Sequence, residues 1–175
     1  MSALVTGEVV AGRSLLPPAD YIGETRRMYD RLGYPPYRWA ERSEPPEWTP
    51  LTKPLADCRV MMIGSGGIYS RGQIAFHTKD DTSLRLIAND TPTDDLRTAH
   101  FAYDQTDARR DPNCVFPLDP LRDLVAGGVI GGMTDNSIAF MGGIYSSRRM
   151  RAETGAAIVE QCRIEQPDLV LLVPV

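Results

Sequence analysis

Apolar positions along this chain recur at two periods, and the switches between them mark out the elements. In YIGETRRMYDRL, Ile22, Met28, Tyr29 and Leu32 fall near one side of a helical repeat. Asp20 stands before the segment as an N-cap, and Gly33 with Pro35 and Pro36 ends it, which predicts one amphipathic helix. The next stretch, SEPPEWTPLTKPL, has a proline every few residues. It reads as an extended connector that lays Trp48 and Leu51 onto a body. Residues 1–50 are therefore expected to form an arm, and 51–175 the main domain.

Within that domain CRVMMIG (58–64), LRLIAND (84–90) and SIAFMGG (137–143) read as strands, the first running into Ser65-Gly66-Gly67. The closing QPDLVLLVPV is a continuous apolar run after a Pro-Asp break, a pattern that suits a strand buried on both faces. FPLDPLRDLVAGG predicts a helix with Asp119 as N-cap, Pro120 at its first position, Leu121, Leu124 and Val125 on one stripe, and Gly127-Gly128 as the stop. Ser146 or Ser147 is expected to cap another helix through about Glu165, with Met150, Ala157, Ile158 and Cys162 facing inward. Strands alternating with helices predict an α/β fold: a mainly parallel sheet, helices on both faces in Rossmann-like layers, and the helical arm in front. In such sheets ligands gather beyond the carboxyl ends of the strands.

Composition narrows the function classes. A net charge of −4 over 175 residues leaves no basic excess to neutralise phosphates, so nucleic acid is not an expected partner. DARRD (107–111) reads as a solvated face of mixed charge. No apolar stretch approaches the ~20 residues of a membrane span, and MSALVTGEVVAG does not look like a secretory leader. The three cysteines, Cys58, Cys114 and Cys162, lie far apart and are odd in number, which points to reduced thiols and a cytoplasmic setting. With His77 and His100 they offer no zinc-like ligand spacing, and no metal is expected.

Three segments carry candidate chemistry. GSGGIYSRG (64–72) follows a strand but lacks the Lys-Ser/Thr ending of a phosphate loop, so it reads as a tight turn whose N–H groups could still meet a ligand carboxylate. HFAYDQTDARRDPNCVFPLD (100–119) gathers a histidine and several acids ahead of a helix start. His100 and Asp104 are the expected catalytic pair, an acid/base histidine oriented by a carboxylate. The alternative, a capped and hydrogen-bonded loop with a structural role, stays open. Cys114 is expected to be a packed thiol before a nucleophile. In GMTDNSIAFMGGIYSSRR (132–149) the Gly-Gly turn could cradle a carboxylate, with Arg148 or Arg149 pairing to it.

Taken in order, WTPLTKPL, the strand before SGGIY, THFAYDQTDARRDPNCVFPLDPLRDLVAGGVIG (98–131), FMGGIYSSRR and DLVLLVPV resemble the glycine/sarcosine/betaine reductase selenoprotein B family, most nearly its D-proline reductase branch. The resemblance implies thiol-dependent reductive cleavage at the α-carbon of an amino acid or related small molecule. It implies a selenolate, or a thiolate in cysteine variants, as the attacking group, with a cysteine close by to release the product and an external thiol as reductant. No bound cofactor is implied for this chain, although in the D-proline branch a pyruvoyl group on another subunit activates the substrate. A partner subunit or a homo-oligomer is implied too. Carried over residue by residue, His100, Tyr103, Asp104, Asp107, Asn113 and Cys114 line or brace the pocket, and Ser65, Gly66 and Gly67 face it. In the family the selenocysteine comes directly after a strand like LLVPV. The expectation is therefore that the reactive residue belongs just past Val175, that the sequence stops where its codon was read as termination, and that a covering helix and strand are missing. The competing expectation is a non-catalytic module of the same fold that binds a small ligand or another subunit.

Overall fold

The computed structural model describes residues 20–39 and 43–175. The chain divides into two compact units, Met1–Trp48 and Thr49–Val175. In the first, helix α1 (Tyr21–Leu32) starts where Asp20 accepts a hydrogen bond from the Gly23 N–H at 2.9 Å, and it stops at Gly33, which adopts φ 68°. Its helical stripe is not buried. Aromatic rings pack along it instead: Tyr29 meets Tyr34 and Tyr37 edge-on with centroids 5.7 Å apart, and Tyr37 lies 4.6 Å from Trp39. Trp48 and Leu51, expected to be laid down as anchors, are exposed.

The second unit is a mixed α/β fold built around β1 (Arg59–Gly64). One edge of β1 pairs in parallel with β7 (Leu169–Val173), Val60 opposite Leu169 through Gly64 opposite Val173. The other edge is shared: Arg59 and Val60 pair with β5 (Gly132–Met133), and Ile63 and Gly64 with β6 (Asn136–Ala139), both parallel. The antiparallel β3 (Arg85–Ala88) extends the sheet from β6. The loop between β1 and β3 holds an unexpected strand, β2 (Ile68–Ser70), which forms an antiparallel pair with β4 (Leu96–Thr98). Both strands are too short to show a period, and they meet only because the chain closes on itself around β3.

Neighbouring residues of β1 point to opposite faces. Val60 and Met62 join a cluster with Phe116, Leu118 and Leu121 at and near helix α3 (Leu118–Ala126). Met61 and Ile63 join Ile138, with Ile158 and Cys162 of α5 (Ala156–Glu165) against them. Helix α5 continues from the short α4 (Ser147–Arg149) through a π-helical segment, Met150–Gly155. That wider turn rotates the helix, so Thr154, Ile158 and Glu165 turn inward while Ala157, expected inside, is exposed. Helix α3 begins at Leu118, one residue before the expected cap. Asp119 thus lies inside the first turn, and its own N–H is accepted by Asn113 Oδ1 at 3.0 Å. The largest correction concerns β7. Among the described residues it pairs only with β1, and Leu172 is 68% exposed, so it is an edge strand and not one buried on both faces. An apolar run does not by itself distinguish a central strand from an edge.

Two acids pin the start of this sheet. Asp168 accepts from the Arg59 N–H at 2.7 Å and from Lys53 Nζ at 2.8 Å, and its own N–H returns to Arg59 O. Glu165 is buried and accepts from the Asp135 N–H, Asn136 Nδ2 and Gln161 Nε2. Burial pushes the Glu165 carboxyl up, but those donors together hold it below its usual value. The hydrogen bond from Lys53 lowers Asp168 in the same way. Glu165→Ala should cost about 2–3 kcal/mol in denaturant unfolding, because it strands buried donors. Both carboxyls have depressed folded-state pKa values, so the stability they add is full above the unfolded values, near 4.5 for Glu165 and 3.8 for Asp168. It disappears as pH falls through the folded values, and a thermal-melt series should show the acid limb flatten in Glu165→Gln.

Candidate functional site

Beyond Gly64 the next three residues bond to each element around the carboxyl end of β1. The Ser65 N–H donates to Val173 O at 3.1 Å, and Ser65 O accepts from the Gly142 N–H at 2.9 Å. The Ser65 hydroxyl accepts from the Val175 N–H at 2.9 Å. Gly66 O accepts from the Tyr103 hydroxyl at 2.8 Å and the Thr98 hydroxyl at 3.1 Å. Gly67 donates to Phe140 O at 3.0 Å and accepts from the Ala99 N–H at 2.9 Å. Gly67 has φ 70°, and a Cβ there would overlap the Ala99 carbonyl, so the turn that binds β1 to the His100 segment requires glycine. Gly66 is hemmed in as well: a Cβ would stand 3.1 Å from Val115 and 3.3 Å from Val175.

His100 is 6% exposed. Its Nδ1 accepts from the Ala102 N–H at 3.0 Å, which puts the proton of the neutral ring on Nε2. Nε2 is buried and has no hydrogen-bond partner among the described residues. Tyr103 tilts against the ring at 4.8 Å and Phe101 stacks at 5.8 Å, while Gln105 Nε2 donates to the His100 carbonyl. Burial pulls the His100 pKa below 6.5, so the ring is neutral at pH 7. Burial likewise raises the Tyr103 phenol, which remains a neutral donor to Gly66.

The other expected site residues are placed differently. Asp104 does not reach His100. It is exposed, and its Oδ1 accepts from the Thr106 N–H and hydroxyl, a local turn at the start of α2 (Thr106–Arg110). The Asp-x-Thr spacing favours that closure over a contact with the ring. Asp107 is exposed and pairs with Arg110 at 3.4 Å. Asn113 braces the loop, donating to Asp111 and Asp119. Cys114 is exposed, not packed, and partial burial together with the Asp111 and Asp107 charges raises its thiol pKa, the opposite of activation. Arg149 is committed to Glu153, Thr82 and the Asp80 carbonyl, so it does not serve the Gly142-Gly143 turn. Among the described residues no group of acids, cysteines and histidines could hold a metal.

Sequence reasoning did not find the wall beside Ser65. A cavity of about 330 Å³ opens there, with Ile63 and Phe140 from the sheet, Met150 and Ile158 from the α4–α5 helix, and Leu172 from β7. Ser65 is its polar side chain; every other residue around it is apolar. A larger cavity, about 620 Å³, lies at the amino end of β6. There Asn89 is spent on Thr134 O and Ser137, and Arg122 on two carbonyls and Asp119, so those polar groups serve the fold. Among the described residues no helix is long and apolar enough to cross a membrane.

Residues 47–174 match the model of the family described as glycine/sarcosine/betaine reductase selenoprotein B (GRDB). The chain is 38% identical over 128 residues to the D-proline reductase subunit gamma of Acetoanaerobium sticklandii, covering 73% of this chain and 53% of that protein. It is 32% identical to the glycine reductase complex component B subunit gamma of Carboxydothermus hydrogenoformans, over 70% of this chain and 29% of the relative. To the sarcosine reductase complex component B subunit beta of Peptoclostridium acidaminophilum it is 30% identical, over 53% and 22%. The chain thus spans about half the length, or less, of the curated relatives it matches. No solved structure matches it. The match runs from the connector through β7 and takes in the Ser65–Gly67 turn and the His100 segment, and by it the chain belongs to the glycine/sarcosine/betaine reductase selenoprotein B family.

Proposed function

We propose that this chain is a component of a thiol-dependent reductase that cleaves a bond at the α-carbon of an amino acid or a related small molecule. The observation that carries the reading is the end of β7: the Val175 N–H rests on the Ser65 hydroxyl, between the apolar cavity and the Gly66 turn that Tyr103 holds. A reactive selenolate or thiolate just past β7 would stand at the carboxyl ends of three parallel strands, the place where such sheets bind ligands. The family relationship supplies the chemistry. The chalcogenolate displaces nitrogen from the α-carbon, and the C–N electron pair leaves with the amine, which takes a proton. A second thiol then attacks the chalcogen, the carbon departs with the bonding pair and a proton, and the resulting selenenyl sulfide or disulfide is reduced by an external dithiol. In this reading no bound cofactor is needed on the chain, and a partner subunit completes the enzyme.

His100 is the proton donor of this scheme: a neutral imidazole with its proton on a buried, uncommitted Nε2. Ser65, Gly66, Gly67 and Tyr103 shape the turn beside it, and Asp104, Asp107 and Asn113 hold the loop that carries it.

A chain extended past Val175 by a selenocysteine or cysteine and a following cysteine, in a Cys114→Ala background, should form a covalent adduct with bromoacetate at the added residue and, once joined by its partner subunit, show dithiothreitol-dependent turnover. A correctly folded extended chain that forms no adduct there would sink the proposal. In that active form His100→Ala should lower the rate by about 10²–10⁴-fold with little change in melting temperature. Nitrogen chemical shifts of the ring should report an Nε2–H tautomer that protonates below pH 6.5.

A further inference from the structure

A third cavity, about 350 Å³, lies beside the β2–β4 pair and α2, and we propose that it is a binding site for a small organic carboxylate. Arg97 from β4 and Arg109 from α2 both line it, with Tyr69 and Thr98. The arginines nearby divide in two. Arg71 pairs with Asp95 at 3.1 Å and Arg110 with Asp107 at 3.4 Å, and neither lines the cavity. Arg97 and Arg109, which do, have no carboxylate within ion-pair distance among the described residues. Arg97 Nη1 is fixed by the carbonyls of Asp94 and Leu96 at 2.7 and 2.6 Å, which orients the side chain and leaves its other N–H groups uncommitted. Arg109 makes a single long bond, 3.4 Å, to Gln105. Asp104, whose carboxyl Arg109 helps to lower, turns its Oδ1 to Thr106.

Arg97 and Arg109 stand on different elements, are exposed to solvent and both line one cavity, so an anion there could meet two guanidinium groups. Their planar forks match the two oxygens of a carboxylate. Leu96 and Ala108 give the cavity apolar lining for the rest of a small ligand, and the volume is at the lower end for small-molecule sites. The site also bears on the candidate active loop, because Thr98 lines it while bonding Gly66 O and Tyr103. Binding here needs neither a chalcogen nor a partner subunit, so it goes beyond the reductase reading and is tested apart from it.

The full chain is titrated with propionate, its uncharged amide propionamide and inorganic phosphate, followed by amide and arginine-side-chain resonances. Propionate should give saturable shifts at Leu96, Thr98, Ala108 and the Arg109 guanidinium, and propionamide none. Arg97→Gln and Arg109→Gln should each weaken binding about tenfold or more, the loss of one charge-assisted hydrogen bond. Arg110→Gln should leave it unchanged. If Arg97→Gln unfolds, Arg109→Gln on the exposed helix decides. Absence of saturable shifts, binding unaltered in Arg109→Gln, an equal loss in Arg110→Gln, or tighter binding of phosphate than of propionate would overturn the proposal. The reductase reading stands or falls on adduct formation after β7, which this titration does not touch.

Discussion

A strand with both edges occupied by parallel neighbours must draw those neighbours from far along the chain, and β1 is such a strand. Its partners begin at Gly132, Asn136 and Leu169, more than seventy residues beyond its own start. The register of those pairings brings Gly64 level with Ala139 and with Val173, so three chain segments leave the sheet together. The shape of the site beyond the sheet is set by how the backbone groups of Ser65, Gly66 and Gly67 are satisfied once they pass the last ladder bond. Between them they bond to β7, the Gly142 turn, Phe140 and the segment carrying His100.

One buried polar atom stands out among the described residues. Buried donors in folded proteins are nearly all paired, so a buried imidazole nitrogen without a partner needs a reason. Nδ1 of His100 is used by its own loop, Tyr103 is used by Gly66, and Nε2 is left over. The surroundings keep the ring neutral. The exposed and locally bonded Asp104 and Asp107, by contrast, build the loop.

Much of the framework was legible from the sequence. Asp20 and Gly33 bound α1 because capping is local chemistry, and β1, β3, β6 and β7 stood out as apolar runs between turn residues. The illegible features depend on tertiary closure. The β2–β4 pair joins segments separated by the whole of β3, so no local hairpin signal links them. Ala157 faces outward because a π-helical turn shifts the phase of its helix, and nothing in MRAETG announces that turn. The edge position of β7 comes from pairing and not from hydrophobicity. Ser65 to Gly67, His100 and Tyr103 lie close together, whereas the His100–Asp104 pairing does not form. DARRD is solvated as read, Ala108 apart; that Arg109 lines a cavity with Arg97 is a meeting of two elements that spacing alone does not reveal.

The Gly67 turn holds the His100 segment against the carboxyl end of β1, and the decisive experiment is native-state hydrogen exchange with histidine titration of Gly67→Ala. The Ala99 amide should lose protection and the His100 pKa should rise towards 6.5, while Val60 to Ile63 stay protected. Unchanged Ala99 protection together with an unchanged His100 titration would contradict that role for the turn.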